Sequence, residues 1–328
     1  MNSPFTDGSA TLKHEKRQIE YRKETFEYVA LYYECDDTKE TFTTTELDGI
    51  NLSQIYNQYR ERHSIPFTDE IVGLRSKYRL SIPKMAKILG LPVKDYRQYE
   101  EGYVPTEANG KLLAACMQPL VFEGFVKKSE DVLSAKEFNS ILSLISEQKN
   151  IEKDCELKQT LVFGKGKRGA TNGFAIQSVE KLKNVLLYFT QNCKDVFNTK
   201  MNKLLFYLDF YNYRRTGYSV TGLTYKAIQY GPVPERWDKV YSVFDEIEQD
   251  TIEFPNGVTG TRLTSSVPPN LDLFSDEEKL SLRTIAEKFC NTSSSDISKI
   301  SHQEDAWRLY ENTQTQISFD TAWDMKGI

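Results

Sequence analysis

The stretch from Lys203 to Pro234 constrains this chain more than any other. Lys203-Leu-Leu-Phe-Tyr-Leu-Asp209-Phe-Tyr-Asn-Tyr-Arg-Arg-Thr-Gly217 reads as an amphipathic helix stopped by glycine, the residue that most readily takes the left-handed backbone past a last helical turn. A short strand over Leu223–Ile228 follows, and Tyr230-Gly231-Pro232-Val233-Pro234 reads as a rigid turn, since proline fixes φ and glycine admits positive φ. Trp237, Val240, Tyr241 and Phe244 then begin a further helix.

At 328 residues the chain exceeds one small domain. Its 39% apolar and 12% aromatic residues can fill real cores. The expected class is mainly α with small β elements (α+β), in several domains. Residues 1–65 read as a small β/α domain, 66–118 as a helical module, 119–175 as a helical spacer with a Gly/basic linker, and 176–328 as a second globular half. The longest apolar runs, such as Leu112–Cys116 and Val185–Phe189, are too short for a bilayer. Met1–Lys13 is polar and lacks the apolar core of a secretory signal, which points to the cytoplasm.

Metal chemistry is poorly supplied. Cys35, Cys116, Cys155, Cys193 and Cys290 are scattered with no Cys-x-x-Cys pair, and His14, His63 and His302 lack partners at ligand spacing. No Ser/His/Asp set or nucleophile elbow occurs, so neither a catalytic set nor a cofactor or metal is expected. Gly164-Lys-Gly166-Lys-Arg-Gly169 matches a dinucleotide string literally. The brief Leu161–Phe163 before it and the polar residues after it make a linker the better reading.

Residues 15–45 alternate apolar and polar around Ile19, Tyr21, Phe26, Tyr28 and Ala30, the pattern of a small antiparallel sheet. Asn51–Arg62 reads as a helix with Leu52, Ile55, Tyr56 and Tyr59 on one face. Leu120–Glu147, Val179–Thr190, Met201–Tyr213, Asp276–Cys290 and Ser295–Glu311 also read as helices.

Leu80–Gly102 has specific physical content. Ser81 suits an N-cap, and Pro83 is tolerated in a first turn. Ala86 is small where a neighbouring helix approaches, and Gly90 sits at a turn needing positive φ. Met85, Leu89, Leu91, Tyr96 and Tyr99 supply a buried face. An ordinary helical hairpin would use the same residues for packing. Residues 63–118 carry a net +2 within a chain of net −5, a small excess that fits phosphate contact.

These spacings resemble the Xre/Cro-type helix-turn-helix. The resemblance implies that Thr68–Arg79 is a supporting helix and Val93–Glu101 a recognition helix in the major groove. Lys94, Arg97 and Gln98 would then face base edges or phosphates, with Lys84 near the backbone. Ile82 departs from the polar residue usual at its position, and Pro92 and Asp95 are also atypical. Residues 19–118 resemble the MqsA/YgiT-type antitoxin layout, without its four zinc cysteines: only Cys35 falls near such a position, and Thr38 stands where a second would be.

The stretch Lys203–Pro234, with His302-x-x-x-Ala306-Trp307 and Ile317-Ser-Phe319-x-x-Ala322-Trp323, resembles the SocA-like antitoxin (Panacea) domain across about residues 176–325. The resemblance implies a role in neutralising a cognate protein toxin. Tyr207, Tyr211, Arg214, Arg215, Tyr230 and Arg236 are candidate toxin contacts, since aromatic and Arg residues anchor interfaces. Packing of the tyrosines in the core is the competing reading. Asp209 and Lys203 could form an internal ion pair. The expected function is a type II antitoxin that also binds double-stranded operator DNA for autoregulation, without membrane or enzymatic activity. A homodimer would suit palindromic half-sites. The alternative is a stand-alone regulator whose C-terminal domain senses a ligand or protein.

Overall fold

A computed structural model describes the backbone of residues 1–328 apart from Asn256 and Gln314, and the side chains apart also from Glu130 and residues 148–156. Cys155 therefore lies outside the described side chains. The fold is α+β, dominated by helices, with small antiparallel sheets. It divides into two compact units, one of residues 1–55 with 157–328, the other of residues 56–156. Among the described residues no helix is long and apolar enough to cross a membrane.

The first unit opens with β1 (Ala10–Tyr21) and β2 (Glu24–Cys35), an antiparallel hairpin, to which β3 (Thr41–Phe42) adds at the end of β2. Because β3 is so short, the β2 edge at Val29 and Leu31 has no strand beside it. Helix α1 (Thr45–His63) covers that edge with side-chain amides. Gln54 accepts from Val29 N at 3.0 Å and donates to its carbonyl at 2.9 Å, and Asn51 does the same for Leu31 at 2.8 and 3.0 Å. A buried strand edge must pair with something, so Gln54 is enclosed while Leu52, expected on the apolar face, is exposed.

The second unit contains α2 (Thr68–Lys77), α3 (Ile82–Leu89), α4 (Val93–Glu100), α5 (Glu107–Cys116), α6 (Pro119–Lys127) and most of α7 (Ala135–Phe163). Ile71, Leu74, Met85, Ala86, Leu89, Tyr96 and Phe122 belong to one buried apolar cluster. Gly90 adopts φ +68°, as expected, and closes α3 with Leu91 N donating to Ala86 O (2.8 Å) and Gly90 N to Lys87 O (3.1 Å). This paired closure reverses the chain within three residues. Ser81 occupies the N-cap position, though its side chain makes no cap bond.

The remainder of the first unit is built around α9 (Asn198–Thr216), preceded by α8 (Val179–Asn192). From Lys200 to Phe210 every α9 residue is buried, so the helix is core on all sides. Phe206, Phe210 and Phe319 form an aromatic stack, with Phe210 and Phe319 4.3 Å apart. Strands β4 (Tyr225–Ile228) and β5 (Gly231–Pro234) pair across the two-residue tip Gln229–Tyr230. Gly231-Pro-Val-Pro is thus a strand, not the expected rigid turn; β5 is an edge strand paired with β4 alone, where proline is tolerated. Gly231 has φ +101°, and a Cβ there would run into Lys203 and Ser301.

Other expectations are also corrected. Trp237–Phe244 forms successive turns, held by Tyr241 donating from the core to Asn202. A second hairpin, β6 (Glu248–Glu253) with β7 (Thr259–Thr264), follows. After α10 (Asp276–Phe289), the expected single helix over 295–311 is two, α11 (Ser294–Ser301) and α12 (Asp305–Arg308). The break lets Glu304 turn inward. Gly164–Gly173 ends in packed structure: Asn172 is fully buried, and Arg168 Nε donates to Phe174 O at 2.6 Å.

Candidate functional site

Two regions hold the residues singled out in the sequence, and each lies within one unit. In the second unit, α2 and α4 are joined by a two-pronged ion pair, Arg75 Nε and Nη2 to Glu100 at 2.6 and 2.8 Å, while Arg75 Nη1 donates to Leu80 O at 3.0 Å. Hydrogen bonding to Glu100 raises the Arg75 pKa above its ordinary value. Tyr96 donates to Ile71 O. With this face of α4 committed inward, Lys94 and Arg97 are exposed and Gln98 is half-buried. Lys84 on α3 pairs with Glu137 of α7, whose carboxyl is drawn down to about 2, chiefly by that contact.

In the first unit, the expected Asp209–Lys203 pair does not form. Asp209 is fully enclosed and takes four neutral donors: Val220 N and Thr221 N at 2.8 Å each, Thr221 Oγ1 at 2.5 Å and Tyr225 OH at 2.7 Å. Burial raises its pKa above the ordinary carboxylate value against the pull of those donors. Lys203 instead donates to Pro232 O at 3.0 Å, and burial pulls its ammonium down to about 7. Glu304, also buried, accepts from Tyr207 OH (3.1 Å), Lys326 N (2.9 Å) and Gly327 N (2.8 Å). Tyr207 is consequently core, stacked on Phe289, and not a surface contact.

The other candidates separate. Tyr211, Arg214 and Arg215 gather at the C-terminal end of α9, with the two guanidiniums 5.4 and 5.7 Å from the Tyr211 ring centre. Tyr230 sits exposed at the β4–β5 tip, and Arg236 lies beyond β5, where it donates to Leu161 O. A groove of about 560 Å³ runs beside Arg214 and Arg215. One wall is Leu12 and His14 of β1 with Leu31 of β2; Leu31 faces His14 in register. Leu47 and Ile50 of α1 form the next wall, and Trp323 closes it. His14 Nε2 lies 3.1 Å from Asp324 Oδ1. Sequence reasoning missed the five aliphatic and histidine residues of this groove, because segments far apart in the chain build it.

Cys35 receives Thr38 N at 3.5 Å. Among the described residues no group of His, Cys, Asp or Glu is arranged to hold a metal ion.

Residues 201–308, from α9 to α12, match the family model of the antitoxin SocA-like, Panacea domain. Residues 201–308 of this chain are thus similar to that antitoxin-type domain. Asp209, Arg214, Arg215, Tyr225 and Glu304 fall inside the match, while β1, β2, α1 and Trp323 fall outside it. Neither curated proteins nor solved structures gave a match to the chain.

Proposed function

We propose that this protein is the antitoxin of a type II toxin–antitoxin pair. Its SocA-like domain binds and neutralises a cognate protein toxin, and the segment Ser81–Gly102 binds operator DNA as a helix-turn-helix for autoregulation. The single observation that carries the proposal is the antitoxin-family match over residues 201–308. The DNA role is supported by the tight Gly90 reversal between two eight-residue helices and by Lys94 and Arg97 standing free of the core on the second. Gln98 flanks them, and Lys84 contacts phosphate while sharing its charge with Glu137. A homodimer would match palindromic half-sites. On the SocA-like side, Tyr211, Arg214 and Arg215 are the contact group, with Tyr230 and Arg236 as outlying anchors.

The test is growth of cells expressing the adjacent open reading frame, alone and together with the full-length chain. Toxicity relieved by co-expression is the expected result. A harmless neighbour, or toxicity untouched by the full chain, overturns the antitoxin reading in favour of a stand-alone regulator.

A further inference from the structure

The groove beside the end of α9 combines two features, an aliphatic lining and a pair of guanidiniums. Leu12, Leu31, Leu47 and Ile50 give it aliphatic walls, yet Arg214 and Arg215 stand on its rim. Among the described residues no Asp or Glu side chain forms an ion pair with either arginine. Arg214 Nη2 donates to Ile328 O at 3.2 Å, while Arg215 meets only neutral acceptors, its Nη1 donating to the Glu277 main-chain O and to Ser281 Oγ, each at 3.4 Å. Tyr211 lies against both guanidiniums, which restricts their rotamers before any partner arrives. Trp323, which closes the groove and is nine-tenths buried, has an indole N–H without an acceptor.

We propose that this groove seats an acidic, aliphatic segment of the protein partner. Carboxylates of that segment pair with Arg214 and Arg215, and its aliphatic side chains pack on Leu12, Leu31, Leu47 and Ile50. The proposal rests on the antitoxin reading for the identity of the partner as the toxin. A planar guanidinium offers two parallel donors that match a carboxylate, and the aliphatic walls select a peptide over a phosphodiester. The volume suits a few side chains rather than a domain surface, so the groove anchors an interface that extends beyond it. Its composition carries a consequence for specificity. The arginines belong to the SocA-like domain, but the aliphatic wall comes from residues 1–55. Partner choice is therefore divided between the shared domain and an N-terminal sheet outside it.

Leu12 allows a test that spares the core, because it is 52% exposed on β1. Affinity for the purified product of the adjacent open reading frame is measured with the full-length chain and with Leu12→Glu, Leu12→Lys and Arg215→Glu, alongside the melting temperature of each. The expected result is a tenfold or greater loss for Leu12→Glu and Arg215→Glu, retained or tighter binding for Leu12→Lys, and unchanged melting of both Leu12 variants. Equal effects of Leu12→Glu and Leu12→Lys, or unaltered binding by all three variants, overturn the groove while leaving the antitoxin reading in place. No binding by the unaltered chain removes the antitoxin reading, and the groove proposal with it.

Discussion

Two clusters, one in each unit, hold an enclosed carboxylate in different ways. In the helical unit, Arg75 and Glu100 neutralise each other across α2 and α4, with the Arg75 side chain 22% exposed and that of Glu100 8%. In the other unit, Asp209 and Glu304 are enclosed and meet only neutral donors. The donors explain the difference. Arg75 and Glu100 join two regular helices whose backbones are already paired. Asp209 and Glu304 bind main-chain N–H groups of irregular segments, Val220–Thr221 and Lys326–Gly327, which belong to no helix or sheet ladder. Such groups need acceptors when buried, and an ionised carboxylate accepts from several at once. One device ties elements together, and the other shapes the chain between them.

The comparison predicts its largest effect at Asp209. Asp209→Ala strands two main-chain N–H groups and the hydroxyls of Thr221 and Tyr225, each unmet donor costing ~1–3 kcal/mol. The expected loss in urea unfolding is at least about 3 kcal/mol, with toxin binding abolished as the segment after α9 loosens. Asp209→Asn keeps the volume and should cost less. A cost for Asp209→Ala no greater than that of removing Arg75 would break the distinction.

Lys203 sharpens the same point through pH. Burial lowers its pKa from the ordinary 10.5 to about 7, so between those values the unfolded chain binds more protons than the folded one. Stability therefore rises with pH across that window. Below about 7 the lysine is protonated in both states and the burial penalty is fully present. The slope from this one group approaches ~1.4 kcal/mol per pH unit at most. Lys203→Met should flatten the rise between pH 7 and 10 in denaturation curves. An unchanged slope would mean that the ammonium is not desolvated as its enclosure beside Pro232 implies.

Removing the part-exposed lock should cost less. Arg75→Ala leaves Glu100 beside the rim, where water can reach it, and frees the Leu80 carbonyl. The expected loss is about 2 kcal/mol, the range for hydrogen bonds to charged groups. Arg75→Lys recovers only part of it, because an ammonium cannot supply both parallel donors. Full recovery by lysine in thermal unfolding would show that charge alone, without fork geometry, joins α2 to α4.

What the sequence revealed follows from the range of the forces involved. Helices α2, α3 and α4 and the positive φ of Gly90 were legible because periodicity and glycine act within a few residues. The same holds for α8 and α10, and for the extent of α9 and its stop at Gly217, though α9 is buried on all sides where an amphipathic helix was expected. Tyr207 was misplaced because its partner Glu304 lies far along the chain, and the inward turn of Glu304 also splits α11 from α12 against a continuous helical pattern. Gln54 and Asn51 look like polar surface residues until the unpaired β2 edge is seen. The groove combines β1, β2, α1 and α9, so periodicity along any one segment could not reveal it. The pairing of Lys84 with Glu137 was hidden for the same reason.

The smallest effect on stability, and the clearest on function, is expected on the outer face of α4. Lys94 and Arg97 are exposed and Gln98 is half-buried, while Tyr96 and Tyr99 of the same helix hold the core. Arg97→Ala with Gln98→Ala should leave stability within ~0.5 kcal/mol, as for surface changes away from caps and cores. Binding to the promoter fragment of the protein's own operon should weaken. The slope of log affinity against log salt should fall by about 0.9 for each phosphate that the variant no longer neutralises. Relief of toxicity should be intact, because those side chains lie outside residues 201–308. Unchanged promoter binding would remove α4 as the DNA-reading element. Loss of neutralisation in this variant would show that the two units do not divide the work, and that the helical unit takes part in holding the toxin.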